Sequence, residues 1–222
     1  MSAPSGASSA TRVRKTYMAG AGISGAVLAC AGIVFISLVG LVSLAVWPEY
    51  HKDVWRVFGS INGSGTWGTP FLIDTDTTNE VAVATNGTSF MILWYSYAQG
   101  APLAAVCSSS GSLGTPEKVG PGDDVTVYNP ALASNGSGYA AVWSRWDYSG
   151  IAQDNIYANV YSSGSWSKDA GGNPTPWIIE NSTGFASSPR LASNGSGYGV
   201  AWVQNDGAAF SIFANLYTAG TW

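Results

Sequence analysis

The sequence predicts an all-β fold of repeated four-stranded antiparallel units, about three of them, preceded by one transmembrane α-helix. Three observations predict it. Near-identical segments recur at long offsets, and repetition with a period of tens of residues marks stacked repeat architectures. Residues 18–47 form a thirty-residue run without a single charge. The 222 residues are 46% hydrophobic and only 10% charged, with 28 Gly, 10 Pro, 10 Trp and 11 Tyr. That balance favours turns and aromatic strands and excludes disorder throughout. A formal net charge of −4 with nine scattered Lys and Arg excludes a strongly basic nucleic-acid binder. Two cysteines are too few for a disulfide-stapled scaffold.

The chain divides into three parts. Residues 1–16 are small and polar and end in a basic cluster, Arg12, Arg14 and Lys15, so they read as a disordered cytoplasmic tail. Residues 17–48 are long enough to span a bilayer as a tilted helix. Tyr17, Trp47 and Tyr50 flank that helix at interfacial depth. The basic cluster places the N-terminus inside and residues 49–222 outside, as a single-pass cell-membrane protein with the lipid bilayer as a partner. A cleaved signal has an apolar core of roughly 7–15 residues, half of this one. Val27-Leu28-Ala29-Cys30 resembles a lipoprotein cleavage box, but an apolar run continues beyond it. Cys107, in the apolar Leu103-Ala104-Ala105-Val106-Cys107, reads as a small buried filler.

Repeats decide the rest. Pro130 opens P-A-L-A-S-N-G-S-G-Y-A-A-V-W, ending at Trp143, and Pro189 opens P-R-L-A-S-N-G-S-G-Y-G-V-A-W, ending at Trp202. Ten of the fourteen positions are identical, at an offset of 59. A worn copy ends at Trp94. A second element follows each: I-Y-A-N-V-Y-S-S-G-S-W to Trp166, I-F-A-N-L-Y-T-A-G-T-W to Trp222, and a degraded version to Leu113. A third, G-T-W-G-T-P-F-L-I from Gly65, is echoed from Gly111 and from Thr175.

Each element reads as strand. Asn-Gly between two apolar runs signals a hairpin whose turn residues accept positive φ. Residues 139–143 and 198–202 are apolar throughout, as in strands covered on both faces. Trp94, Trp143 and Trp202 recur at one place and read as packing residues, with Asn135 and Asn194 as turn residues. Four short antiparallel strands in about 46–60 residues describe one propeller blade.

On these residues the chain, from about 54 to 222, resembles bacterial extracellular β-propeller repeat proteins with sialidase-like blades. The resemblance implies a propeller fold and no particular activity. The turns N-G-S-G-T-W, S-S-G-S-W and T-A-G-T-W resemble the end of the sialidase Asp-box without its Asp. Arg56, Arg145 and Arg190 lie in contexts unlike the sialidase arginine cluster, so no catalytic residue carries over. The pattern supplies thirteen strands against sixteen for a four-bladed ring. The expectation is a fragment of a larger propeller, with closure between subunits or an open array as alternatives.

Catalytic motifs are missing from the sequence. His51 is the one histidine and sits beside the apolar run, and no nucleophile elbow, zinc motif or phosphate loop occurs. Asp74, Asp76 and Glu80 are spaced so that a calcium ion could use them, although no glycine supplies an EF-hand turn and a polar inter-strand loop is the alternative. Asp123-Asp124 reads as a solvated turn. Trp146, Tyr148, Trp177 and Phe210 fall outside the repeated core positions, and exposed aromatics stack on sugar rings and anchor interfaces. The functional expectation is a membrane-anchored, non-enzymatic binding module at the cell surface, its ligand a glycan or a surface protein, with oligomerisation possible and nucleic acid excluded. The alternatives are a fragment of a sialidase-like propeller glycoside hydrolase and a structural spacer.

Overall fold

A computed structural model of the chain describes residues 35–39, 42–63, 65–147, 153–180 and 184–222. They form fifteen strands, all paired antiparallel, in four successive units. Blade 1 comprises β1 (Phe35–Val39), β2 (Val42–His51), β3 (Val54–Asn62) and the first half of β4 (Phe71–Thr85). A register shift between Thr77 and Val81 lets the second half of β4 open blade 2, with β5 (Ser89–Ser96), β6 (Ala101–Ser108) and β7 (Glu117–Lys118). Blade 3 comprises β8 (Val127–Ser134), β9 (Tyr139–Asp147) and β10 (Gln153–Ser162). Two short strands, β11 (Ser165–Trp166) and β12 (Trp177–Ile178), share the outer edge of β10. Blade 4 has three strands, β13 (Ala186–Ser193), β14 (Tyr198–Asn205) and β15 (Phe210–Tyr217).

The expected helix over 17–48 is corrected from residue 35 onward. Residues 35–39 and 42–48 are strand, and β2 pairs with β3 along its whole length, from Ser43 opposite Asn62 to His51 opposite Val54. Among the described residues no helix is long and apolar enough to cross a membrane. The remainder of the run, 17–34, and the tail 1–16 lie outside the described residues. The reason for the misreading is physical. A strand buried on both faces loses the alternation of polar and apolar residues, and hydropathy then cannot tell it from a buried or lipid-embedded helix. Leu44, Ala45 and Val46 are all buried. Trp47 is not an interfacial anchor but the repeat tryptophan of blade 1, stacked on Phe58 at 6.2 Å and 23°. Trp143 on Tyr157 (6.2 Å, 11°) and Trp202 on Phe213 (6.2 Å, 21°) repeat that geometry. Two strands from the apolar run, added to the thirteen expected, give the fifteen strand positions of four blades, counting β4 twice and β11 with β12 once.

Blades stack face to face. The trailing stripe Phe90, Ile92, Trp94 of blade 2 buries Leu44, Val46 and Val57 of blade 1. Its leading stripe Met91, Leu93, Tyr95 is buried by Tyr139, Ala141 and Trp143 of blade 3. Val142, Ile156 and Ala158 of blade 3 are then buried by Val200 and Trp202 of blade 4. Alternate side chains of one strand thus serve two different cores, which is why the strands read as apolar throughout.

The hairpin turns differ in detail from the expectation. Each is a four-residue loop: the last pair before residues 135–138 is Ser134 with Tyr139. Gly87, Gly136 and Gly195 take the positive φ (89°, 90° and 91°), while the preceding asparagines do not. Their side chains do the work instead. Asn135 Oδ1 accepts the N–H groups of Ser137 and Gly138, and Asn194 Oδ1 accepts those of Ser196 and Gly197. This is the Asx turn that suits asparagine to such corners.

Candidate functional site at the loop end

The antiparallel registers bring four intra-blade connections to one end of the array: β2 to β3, β5 to β6, β9 to β10 and β14 to β15. The inner strands of blades 2, 3 and 4 are each bulged near that end, between Thr77 and Val81, Tyr128 and Ala131, and Ser187 and Arg190. The position preceding Val81, Pro130 and Pro189 in the repeat holds Glu80, Asn129 and Ser188. Asn129 and Ser188 sit at positive φ (50° and 56°), a conformation that costs of order 1 kcal/mol and collects at functional sites. Bulges next to inner-strand ends re-aim side chains in the same way.

Glu80 is the ionisable group of this ring. Its carboxylate accepts the backbone N–H of Asn129 and lies 3.4 Å from the Asn129 side-chain nitrogen, so β4 and β8 are joined through it. Burial pushes its pKa up, and the Asn129 N–H and the charge of Arg190 on β13 pull it part of the way back. One carboxyl group thus links two successive inner strands, β4 and β8, and feels the charge carried by the third.

Further charges lie at the same end of the array on blade 3. The Arg145 guanidinium pairs with Asp123 and lies 5.2 Å from the Tyr157 ring centroid. Asp123 is thus an ion-pair partner of a buried arginine rather than only a solvated turn residue. Burial raises the pKa of Asp154, whose Oδ1 is enclosed without a hydrogen-bond partner among the described residues. Glu180 Oε2 accepts the Ile156 N–H at 2.8 Å. Among the described residues the exposed aromatics are Tyr50, Tyr97, Tyr128, Phe185 and Phe210, and all five flank the turns or inner-strand starts of this end.

The residues singled out from the sequence scatter. Phe210 and the partly exposed Trp146 stand at the loop end. Tyr148 lies outside the described residues. Trp177 lies on the outer edge of blade 3, packed against the blade 3–blade 4 core and 6.2 Å from the Tyr217 ring, which makes it a packing residue. Trp94, Trp143 and Trp202 are buried. The three proposed calcium ligands are not brought together. Asp74 Oδ2 accepts the Trp94 indole N–H at 2.7 Å, Asp76 sits exposed at φ 58°, and Glu80 turns to Asn129. Among the described residues no cluster of three His, Cys, Asp or Glu side chains stands ready for a metal. His51 ends β2 at the surface. A cleft of about 260 Å³ lies elsewhere, lined by Met91, Thr115, Glu117, Tyr161 and Trp166 between blades 2 and 3.

Asn129 and Asp154 escaped the sequence reading, and Arg190 was weighed there only against the sialidase arginine cluster. Glu80 aligned beneath Asn129 and Ser188, one residue before the repeat proline, was the signal that could have found the ring.

No family model matches the chain, and no curated protein matches it. Solved structures do. The GH43 endo-arabinanase from Bacillus licheniformis superposes with a TM-score of 0.50 at 12% identity, over 85% of this chain and 74% of that one. A subtype N10 neuraminidase-like protein of A/little yellow-shouldered bat/Guatemala/060/2010 gives 0.52 at 7% identity, over 82% of this chain and 57% of that one. A puromycin-hydrolyzing peptidase of Mycobacterium tuberculosis gives 0.52 at 13% identity, over 84% of this chain and 30% of that one. At such identities the likeness concerns the fold alone, a sialidase-like β-propeller, and this chain spans 57% and 30% of the last two.

Proposed function

We propose that the chain is the glycan-handling face of a glycoside-hydrolase-like propeller, with Glu80 as its general acid. The observation that carries this reading is Glu80 at the bulge of β4, hydrogen-bonded across to Asn129 at the bulge of β8, a carboxyl group whose pKa burial raises. A carboxyl whose pKa is raised holds its proton more tightly and can deliver it to a glycosidic oxygen, and glycosidases pair such a group with a second carboxylate. Asp123, Asp154 and Glu180 supply carboxylates at the same end. Five exposed aromatics at that end offer rings for sugars to stack on. The arabinanase and the neuraminidase-like protein among the similar folds support a sugar ligand.

A second reading, binding without turnover, is favoured by one specific observation. Asn129 and Ser188 occupy the positions equivalent to Glu80, so the ring itself carries a single carboxyl. Hydrolysis of arabinan and sialoside panels, with binding measured in parallel, separates the two. Turnover that Glu80→Gln abolishes while binding persists supports the hydrolase. Binding without turnover supports the module, and neither binding nor turnover overturns both. An extracytoplasmic, membrane-anchored location belongs to the same proposal: residues 18–34 are seventeen uncharged residues ahead of β1, at the short end of the span a bilayer needs.

A further inference from the structure

A Thr-Pro strand closes each of blades 1 to 3. Thr69-Pro70-Phe71 opens β4, Thr115-Pro116-Glu117 leads into β7, and Thr175-Pro176-Trp177 leads into β12. The registers put the residue after each proline at one place: Phe71 opposite Gly59, Glu117 opposite Ala104 and Trp177 opposite Ala158. A partner with little or no side chain leaves room for a ring above it. The Phe71 ring occupies that room so closely that a Cβ on Gly59 would meet it at 2.7 Å.

Phe71 and Trp177 fill the wedge between the outer strands of successive blades. Phe71 packs against the blade 1–blade 2 core. Trp177 sits between blades 3 and 4, in a cup of blade 4 made by Tyr198, Tyr217 and Trp222, 6.2 Å from the Tyr217 ring. Blade 3 builds the same cup toward blade 2 from Tyr139, Tyr161 and Trp166. Its successive rings lie 6.1 Å and 5.4 Å apart, against 6.0 Å and 5.3 Å in blade 4. The residue placed to fill this cup is Glu117, whose carboxylate instead pairs with Lys168 at 2.7 Å. What remains is the cleft of about 260 Å³, lined by Met91, Ala104, Val106, Glu117, Tyr161 and Trp166.

The repeat says what such a cleft receives. Its walls are apolar and aromatic, and the equivalent walls one junction further on hold an indole. Its volume suits a single ring system, since drug-sized ligands take about 300–1,000 Å³. Its charged group is a carboxylate, which when ionised only accepts hydrogen bonds. We propose that this cleft binds a small aromatic amine. The ring enters between Ala104–Val106 and Tyr161–Trp166, in the place Trp177 takes at the next junction, and the ammonium meets Glu117. Stacking and apolar burial hold the ring, and a charge-assisted hydrogen bond holds the amine. The cleft shares no residue with the loop-end ring, so it stands independently of glycoside chemistry.

Titration calorimetry of the full chain with tryptamine tests this. One-to-one binding is expected, with a dissociation constant of about 1 mM or tighter. 2-Cyclohexylethylamine carries the same charge on a puckered ring and should bind at least about 10-fold more weakly. Glu117→Trp supplies the missing ring from within the chain. It should abolish tryptamine binding and raise the melting temperature by about 2–4 °C, as cavity filling does. Glu117→Ala removes the acceptor and should weaken binding about 5- to 10-fold, and it carries the test alone if Glu117→Trp does not fold. Absence of tryptamine binding across the millimolar range overturns the proposal. Equal affinity for the cyclohexyl amine overturns it too, because the cleft then selects charge and not a flat ring. So does binding that the Glu117 variants leave unchanged, because the amine then sits elsewhere.

Discussion

Leu44→Ala decides between a core strand and a lipid-embedded helix for the segment around residue 44. Leu44 is 0% exposed and packs in the blade 1–blade 2 core with Val57, Ile73, Phe90 and Trp94. The substitution removes three side-chain carbons, about 2.4 kcal/mol of transfer free energy at about 0.8 kcal/mol per carbon group. The cavity left among aromatic neighbours adds to that, giving about 3–4 kcal/mol in total. For a chain of this size each kcal/mol moves Tm by about 2–4 °C, so the melt should fall by about 6–16 °C. Near-UV circular dichroism of the tryptophans reads the blade cores directly. Leu72→Ala is the control: Leu72 is 49% exposed on β4, and its loss should stay within about 0.5 kcal/mol. A Leu44 variant that melts with the Leu72 control would falsify the placement of β2 in the core, because a leucine facing lipid would be lost there without a cavity.

The remaining predictions concern single groups. Asp74→Ala orphans the buried Trp94 indole N–H and should cost about 1–3 kcal/mol, while calcium or a chelator leaves the wild-type melt unchanged because Asp74 is engaged by Trp94. Gly136→Ala forces an L residue to φ 90° and should cost about 1 kcal/mol, against no measurable change for Gly63→Ala, which meets open space at an ordinary φ. Cys107 is fully buried and its thiol pKa is pushed up to about 11 by desolvation, so an aromatic disulfide reagent should label it only on unfolding. For Glu80 the folded pKa is raised, so the native state binds its proton more tightly than the unfolded chain does. Stability should therefore decline as pH climbs from the ordinary carboxylate range through the raised value, and Glu80→Gln should flatten that limb in melts between pH 4 and pH 8.

What the sequence disclosed and what it hid follow from one property of stacked blades. Blades 3 and 4 were legible because their hairpin loops must satisfy backbone N–H groups at a tight corner. Asn135 and Asn194 do so with the same side-chain oxygen, and glycine alone fits φ near 90° comfortably. Such requirements leave letters in the sequence. Blade 1 was hidden because its hairpin, between Val39 and Val42, carries no Asn-Gly corner, and its strands are apolar on both faces. A hydropathy window sees only the second property. The letters were nevertheless present: Leu44-Ala45-Val46-Trp47 repeats Ala140-Ala141-Val142-Trp143, and residues 57–67 match 156–166 at the turn glycine, Gly65 with Gly164, and at the closing tryptophan, Trp67 with Trp166.

The loop-end ring was hidden for a different reason. Glu80, Asn129 and Ser188 are unlike residues, and what unites them is a bulge in the ladder, which depends on partner strands rather than on local composition. Chemistry at this end varies from blade to blade while packing repeats, so similarity between copies finds the core and passes over the site. The calcium reading failed at the same place. Asp74, Asp76 and Glu80 are near one another in sequence, but β4 passes from blade 1 to blade 2 between them. Asp74 is left to hold the Trp94 indole, and Glu80 to join the ring. A strand shared by two blades separates functions that sequence proximity would combine, and the residue to trust at such a crossing is the one whose hydrogen-bond partner comes from a different inner strand.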